Sequence, residues 1–113
     1  RATYTPLITK EMGRIDWHAK AREINNRVRA FILWPVAFTY IDNRVVKIYS
    51  TEIDPYTSNS LPGTIFDINK KGIFVSTSDE TLIIKELQME NKRRMYAYDF
   101  AMGHRNLLGK TLT

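Results

Sequence analysis

Leu82-Ile83-Ile84-Lys85-Glu86-Leu87-Gln88-Met89-Glu90-Asn91-Lys92-Arg93-Arg94-Met95-Tyr96-Ala97-Tyr98-Asp99-Phe100-Ala101-Met102-Gly103-His104-Arg105 is the stretch that decides the fold. It opens as a strand. Alternation puts Ile83, Lys85, Leu87 and Met89 on one side, and Leu82, Ile84, Glu86 and Gln88 on the other. A Glu90-Asn91 turn leads into three successive cations, Lys92, Arg93 and Arg94. A short helix follows, on which Met95, Tyr98 and Met102 share a face at steps of three and four, and Gly103 ends it. Core strand, basic corner and docking helix thus lie in one run.

Upstream, further strands are predicted over Ala37–Ile41, Val45–Ile53, Thr64–Ile68 and Ile73–Thr77, with the fifth at Thr81–Met89. Asp42-Asn43 is a tight hairpin turn, and Asn69-Lys70-Lys71-Gly72 and Ser78-Asp79-Glu80 are the other short turns. Asp54–Pro62 is a polar loop. Ala19–Phe31 reads as a helix, with Ala21, Ile24, Val28 and Phe31 on its apolar stripe and Arg22, Asn26 and Arg29 opposite. His18 is a poor cap, so Asp16 is expected to cap it; Trp34-Pro35 ends it. Residues 1–16 carry Pro6, Gly13 and no period, as an extended arm does; Leu107–Thr113 is expected to fray. The fold class is mainly β: a small barrel or sandwich of about five strands, with an N-terminal helix and a short C-terminal one.

With 113 residues, 43% of them hydrophobic, one domain with a modest core is the default. The absence of cysteine excludes disulfides, thiolate zinc and a Cys nucleophile. No apolar run approaches the roughly 18 residues of a membrane span, and no signal-peptide pattern follows Arg1, so the chain is expected to be soluble and a piece of something longer. The net charge is +5, concentrated at the ends. Residues 1–30 carry seven cations against three anions, residues 31–80 four against six, and residues 81–113 six against three. Ends that fold together pool their charge on one basic surface, which favours a polyanion such as nucleic acid over an otherwise merely soluble domain.

Catalytic patterns are missing. His18 and His104 stand alone, without a second ligand at helical spacing, so no metal is expected. Gly63 and Gly72 are turn glycines rather than a phosphate loop. The loop serines have no partner base, and Glu52 with Asp54, the nearest carboxylate pair, is expected to be solvated.

With these elements placed, the chain resembles the C-terminal domain of the methionyl-tRNA formyltransferase family. The similarity runs through Ile8-Thr9-Lys10-Glu11-Met12-Gly13-Arg14-Ile15-Asp16-Trp17, Glu23-Ile24, Asn26, Arg29-Ala30-Phe31, Trp34-Pro35 with Ala37, and Pro62-Gly63-Thr64-Ile65. It returns over Leu82–Met95, where Lys-Glu-Leu-Gln and Lys-Arg-Arg-Met are the most specific pieces, and ends with Phe100 and Gly103. His18, Asn25 and Val36 depart from the family's usual Ser, His and Gly.

The resemblance implies an OB-like barrel over residues 19–106, a linker over 1–18 from an N-terminal catalytic domain, and a tail over 107–113. It also implies a cytoplasmic enzyme of translation initiation. The parent's 10-formyltetrahydrofolate site and catalytic residues lie outside these residues, so no cofactor is expected in this piece and its share is initiator tRNA positioning. Phosphate contacts are expected from Lys92, Arg93 and Arg94, then Arg22 and Arg29, then Lys10 and Arg14. Lys47, Lys70 and Lys71 are extensions of the patch or edge protection, and Tyr40, Tyr49 and Phe74 are either base-stacking or core aromatics. The alternatives are the structural domain of a sugar-nucleotide formyltransferase and a free-standing interaction barrel.

Overall fold

A computed structural model describes residues 10–31, 36–104 and 106–113; the side chains of Lys10 and Glu11 and the expected Trp34-Pro35 turn lie outside the described residues. After a 3-10 turn at Lys10–Gly13 come α1 (Ala21–Ala30), β1 (Phe38–Ile41), β2 (Arg44–Asp54), β3 (Ile65–Asn69), β4 (Gly72–Ser76), β5 (Thr81–Met89), β6 (Met95–Tyr96) and α2 (Ala97–Met102). All strand pairs are antiparallel, and the sheet order is β1-β2-β5-β4-β3, with β6 against β5.

The mainly β expectation holds. Asp42 and Asn43 both take positive φ, 50° and 67°, as a two-residue hairpin turn requires. β5 spans the residues that its β-branched and alternating pattern predicts.

Its alternation is broken, however. Leu82 and Ile84 face the interior, and so do Leu87 and Met89. Registry with β2 slips between Ile48 and Ser50 and again between Ser50 and Thr51, so the inward parity changes across Lys85-Glu86. Ile83 leaves the side expected for it. It pairs with Phe74 and is buried on the opposite face, where Phe66 stacks edge-on to Phe74 and Tyr56 of the polar loop lies 5.6 Å from Phe66. β5 therefore has apolar side chains on both faces in its first half and on one face in its second.

α1 buries Ala21, Ile24 and Val28, as its periodicity predicts, and leaves Arg22, Asn26 and Arg29 exposed. Its cap differs from expectation. Asp16 Oδ1 accepts the His18 N–H at 3.0 Å and closes its own turn. The helix starts two residues later, and Asp79 in the β4–β5 turn accepts the Ala21 N–H at 2.9 Å. A helix N-terminus needs acceptors, and here tertiary structure supplies one from 58 residues away.

The last helix also differs. Met95 is in β6, paired with Leu87, and Met102 is 57% exposed. The buried face is Ala97, Phe100 and Ala101, because pairing of β6 delays the helix start and rotates the stripe.

The tail does not fray. Leu107 and Leu112 are in the core. Ile65 N–H donates to the Lys110 carbonyl at 2.8 Å, Leu112 N–H to that of Gly63 at 2.7 Å, and Thr113 N–H to that of Tyr40 at 3.0 Å. The C-terminal segment thus ties β3 to β1, satisfying edge groups that would otherwise be open. Gly63 permits this approach: its φ is +92°, and a Cβ there would lie 2.6 Å from the Leu112 carbonyl.

Residues 14–17 of the expected linker are built into the fold. Arg14 bridges Phe38 in parallel, Ile15 N–H donates to Phe38 O at 2.8 Å, and buried Trp17 donates Nε1–H to Thr39 Oγ1 at 2.9 Å.

Candidate nucleic-acid interface

The basic corner is the tip of a hairpin between β5 and β6. Asn91 takes a φ of 63°, and Lys92 N–H donates to Met89 O at 3.0 Å, closing the turn. Gln88 Nε2 donates to Lys92 O at 2.8 Å and pins the start of the basic run. Lys92 and Arg93 are exposed and make no ion pair among the described residues.

Arg94 is different. Its Nη2 lies 3.0 Å from Glu86 Oε1, and its guanidinium sits over the Tyr49 ring, 4.2 Å from the centroid. Tyr49 in turn donates its hydroxyl to Gln88 Oε1 at 2.7 Å. Glu86 pairs in register with Tyr96, which is 65% exposed, and Lys47 pairs with Gln88. Lys47, Tyr49, Glu86, Gln88, Arg94 and Tyr96 thus stand on the outer face of β2, β5 and β6. Tyr96 was not singled out by sequence. Its signal is the alternation of Met95, packed on the core, with its exposed neighbour.

The remaining candidate cations are elsewhere. Ile24 and Val28 share the interior with Val46 and Ile48, so α1 lies on the core side of β2. Arg22 and Arg29 are exposed on α1, away from its buried Ala21, Ile24 and Val28. The Lys10 side chain lies outside the described residues. Arg14 is engaged: Nε and Nη2 donate to the Thr113 carbonyl at 3.3 and 3.0 Å, and the guanidinium covers the Tyr40 ring at 4.9 Å. Arg27, which sequence passed over, donates to the Met12 carbonyl at 2.6 Å and lies over Phe31. Lys70 and Lys71 are exposed in the β3–β4 turn. Of the aromatics weighed for stacking, Phe74 is buried, and Tyr40 and Tyr49 each have a ring face covered by an arginine.

Among the described residues, no group of His, Asp or Glu is placed to hold a metal, and no helix is long and apolar enough to cross a membrane. His18 is a surface residue, 3.6 Å from Asp16. His104 stacks on Phe100, with Nδ1 2.9 Å from the Phe100 carbonyl oxygen. Asp79 is the one group whose acidity is shifted among the described residues. The Ala21 N–H holds its carboxyl below the ordinary value, helped by Glu80 N–H, Thr77 and Lys20, against partial burial. That is a structural cap, distant in sequence from the corner.

A small antiparallel β module, led in by a segment built into its own edge, carries a cationic hairpin tip. The chain belongs to the formyl transferase C-terminal domain family, which it matches over residues 7–105. It is 38% identical over 109 residues to a methionyl-tRNA formyltransferase of Clostridium perfringens, covering 96% of this chain and 35% of that protein. It is 39% identical over 114 residues to a methionyl-tRNA formyltransferase of Staphylococcus aureus, covering 99% and 37%. The chain therefore spans about a third of the length of the curated relatives it matches. HypX from Aquifex aeolicus, solved with tetrahydrofolic acid, has a similar fold over 92% of this chain and 19% of that one, with a TM-score of 0.73 at 15% identity.

Proposed function

We propose that this chain is the C-terminal domain of a cytoplasmic methionyl-tRNA formyltransferase, and that it positions initiator tRNA by electrostatic contact with the phosphate backbone. The observation that supports this best is the β5–β6 tip. It presents Lys92 and Arg93 exposed and without ion pairs among the described residues, and exposed Lys47 pairs in register with Gln88, whose side chain holds the Lys92 carbonyl. Cations that are not neutralised internally are the ones that displace condensed counterions from RNA. Arg22 and Arg29 form a second exposed patch on α1 that extends the grip if the RNA bends around the module. The barrel itself is OB-like in this proposal, with the C-terminal segment closing it.

Formyl transfer, with 10-formyltetrahydrofolate as donor, belongs to an N-terminal catalytic domain of the parent chain. Among the described residues Ser76 Oγ is the one buried side-chain polar atom without a partner, and it lies in β4, lining neither of the larger clefts, so no buried orphan group points to that donor.

The test is a titration of the chain with tRNA at two salt concentrations. Affinity is expected to fall about ten-fold or more between about 50 and 200 mM salt, as two or three phosphate contacts require. Equal retention at both would refute electrostatic positioning. The chain alone is expected to give no formyl transfer to charged initiator tRNA.

A further inference from the structure

Arg94 is the member of the basic run whose charge is already spent. Glu86 neutralises it at 3.0 Å, so it adds little to the field that draws in a polyanion. The same contacts hold it rigid. Glu86 fixes one edge of the guanidinium, the Tyr49 ring backs one face at 4.2 Å, and Tyr49 is itself tethered to Gln88. The Arg94 side chain remains 49% exposed. A flat, weakly hydrated cation held over an aromatic ring and by a carboxylate is a stacking surface with much of its rotamer entropy already lost. Tyr96 stands in the same surface, directly across from Glu86, and nothing among the described residues covers it.

We propose that Arg94 and Tyr96 form a docking platform for an unpaired RNA base, on the outer face of β2, β5 and β6. This rests on the RNA-binding function proposed above and divides its labour. Lys92 and Arg93 attract the phosphate chain, and Arg94 with Tyr96 holds a base whose face has left the helical stack. A phosphate is the poorer occupant of this spot, because it must displace the Glu86 carboxylate from Arg94. A base needs only the free π surface, and proteins recognise unpaired bases by such stacking on aromatic and guanidinium planes. Stacking reads no base edge, so the platform takes any base.

The test compares a short single-stranded oligoadenylate with an RNA duplex of equal phosphate number, each titrated against the parent chain, Arg94→Lys, Tyr96→Ala and Lys92→Ala/Arg93→Ala. Arg94→Lys keeps the ion pair with Glu86 and loses the plane; thermal melting coincident with the parent establishes that each variant is folded. Arg94→Lys and Tyr96→Ala are each expected to weaken single-strand binding by about ten-fold, with the salt slope unchanged and duplex binding unaffected. The double lysine-arginine variant is expected to weaken both ligands and flatten both slopes. If Arg94→Lys and Tyr96→Ala bind the single strand as the parent does, or lose duplex to the same degree, while the double variant still flattens the slope, the platform is refuted and the electrostatic grip stands. If the parent binds neither RNA at any salt, the proposed function fails and the platform with it.

Discussion

Two regions of this molecule are rich in cations and use them in opposite ways. At the clasp where residues 14–17 meet the C-terminal segment, Arg14 is spent on the Thr113 carbonyl and the Tyr40 ring, and Lys110 on Asp42 at 2.7 Å. At the β5–β6 tip, Lys92 and Arg93 face solvent without ion pairs among the described residues. Each of these cations counts equally toward a net charge of +5. Only the second has charge to offer a partner. Charge placement along a chain thus marks where cations are, while the acceptors that fold beside them decide what they do.

The contrast can be broken most forcefully at the clasp. Leu112→Ala removes a core side chain from the segment that joins β1 to β3, and is expected to cost about 2–4 kcal/mol in chemical denaturation. A loss below about 0.5 kcal/mol would mean that the C-terminal segment is not structural. Asp79→Ala is expected to cost about 1–2 kcal/mol by uncapping α1. Because the Asp79 carboxyl is held below its ordinary value, its stabilisation is complete above the usual carboxylate range and is lost as pH falls through the depressed folded value. Asp79→Asn is therefore expected to flatten the acid limb of a stability-against-pH curve.

Arg14→Ala is expected to cost about 1 kcal/mol while leaving the salt slope of RNA binding intact. Lys92→Ala/Arg93→Ala should do the reverse: stability within about 0.5 kcal/mol of the parent, and a shallower salt slope. Measuring melting and binding on the same two variants separates the regions. An exchange of phenotypes between them would invert the comparison.

Much of the architecture was legible in advance. The β-branched run at β5, the Asp42-Asn43 turn and the apolar stripe of α1 are local signals, and local energetics decide them. What was not legible depends on partners distant in the chain. The inward parity of β5 changes because its registry with β2 slips, which no alternation within β5 reveals. Leu107–Thr113 is short and polar enough to fray alone, and it is held because two open strand edges await it. At the candidate site, the cations of the corner were legible as charges. That Arg94 is paired and Arg14 is engaged follows from Glu86, Tyr49, Thr113 and Tyr40, which only the fold brings near.

The Asp79 cap also bears on the order in which the chain assembles. A ten-residue helix is too short to persist on its own in water, and the local side-chain support at the start of α1 is Glu23 Oε1, which accepts the Lys20 N–H at 3.2 Å. Its first turn is completed by a carboxylate that is in place only once the hairpin between β4 and β5 has closed. The β4–β5 hairpin is therefore expected to close before the first turn of α1 is completed, an order that φ-value analysis of substitutions in the two elements would check.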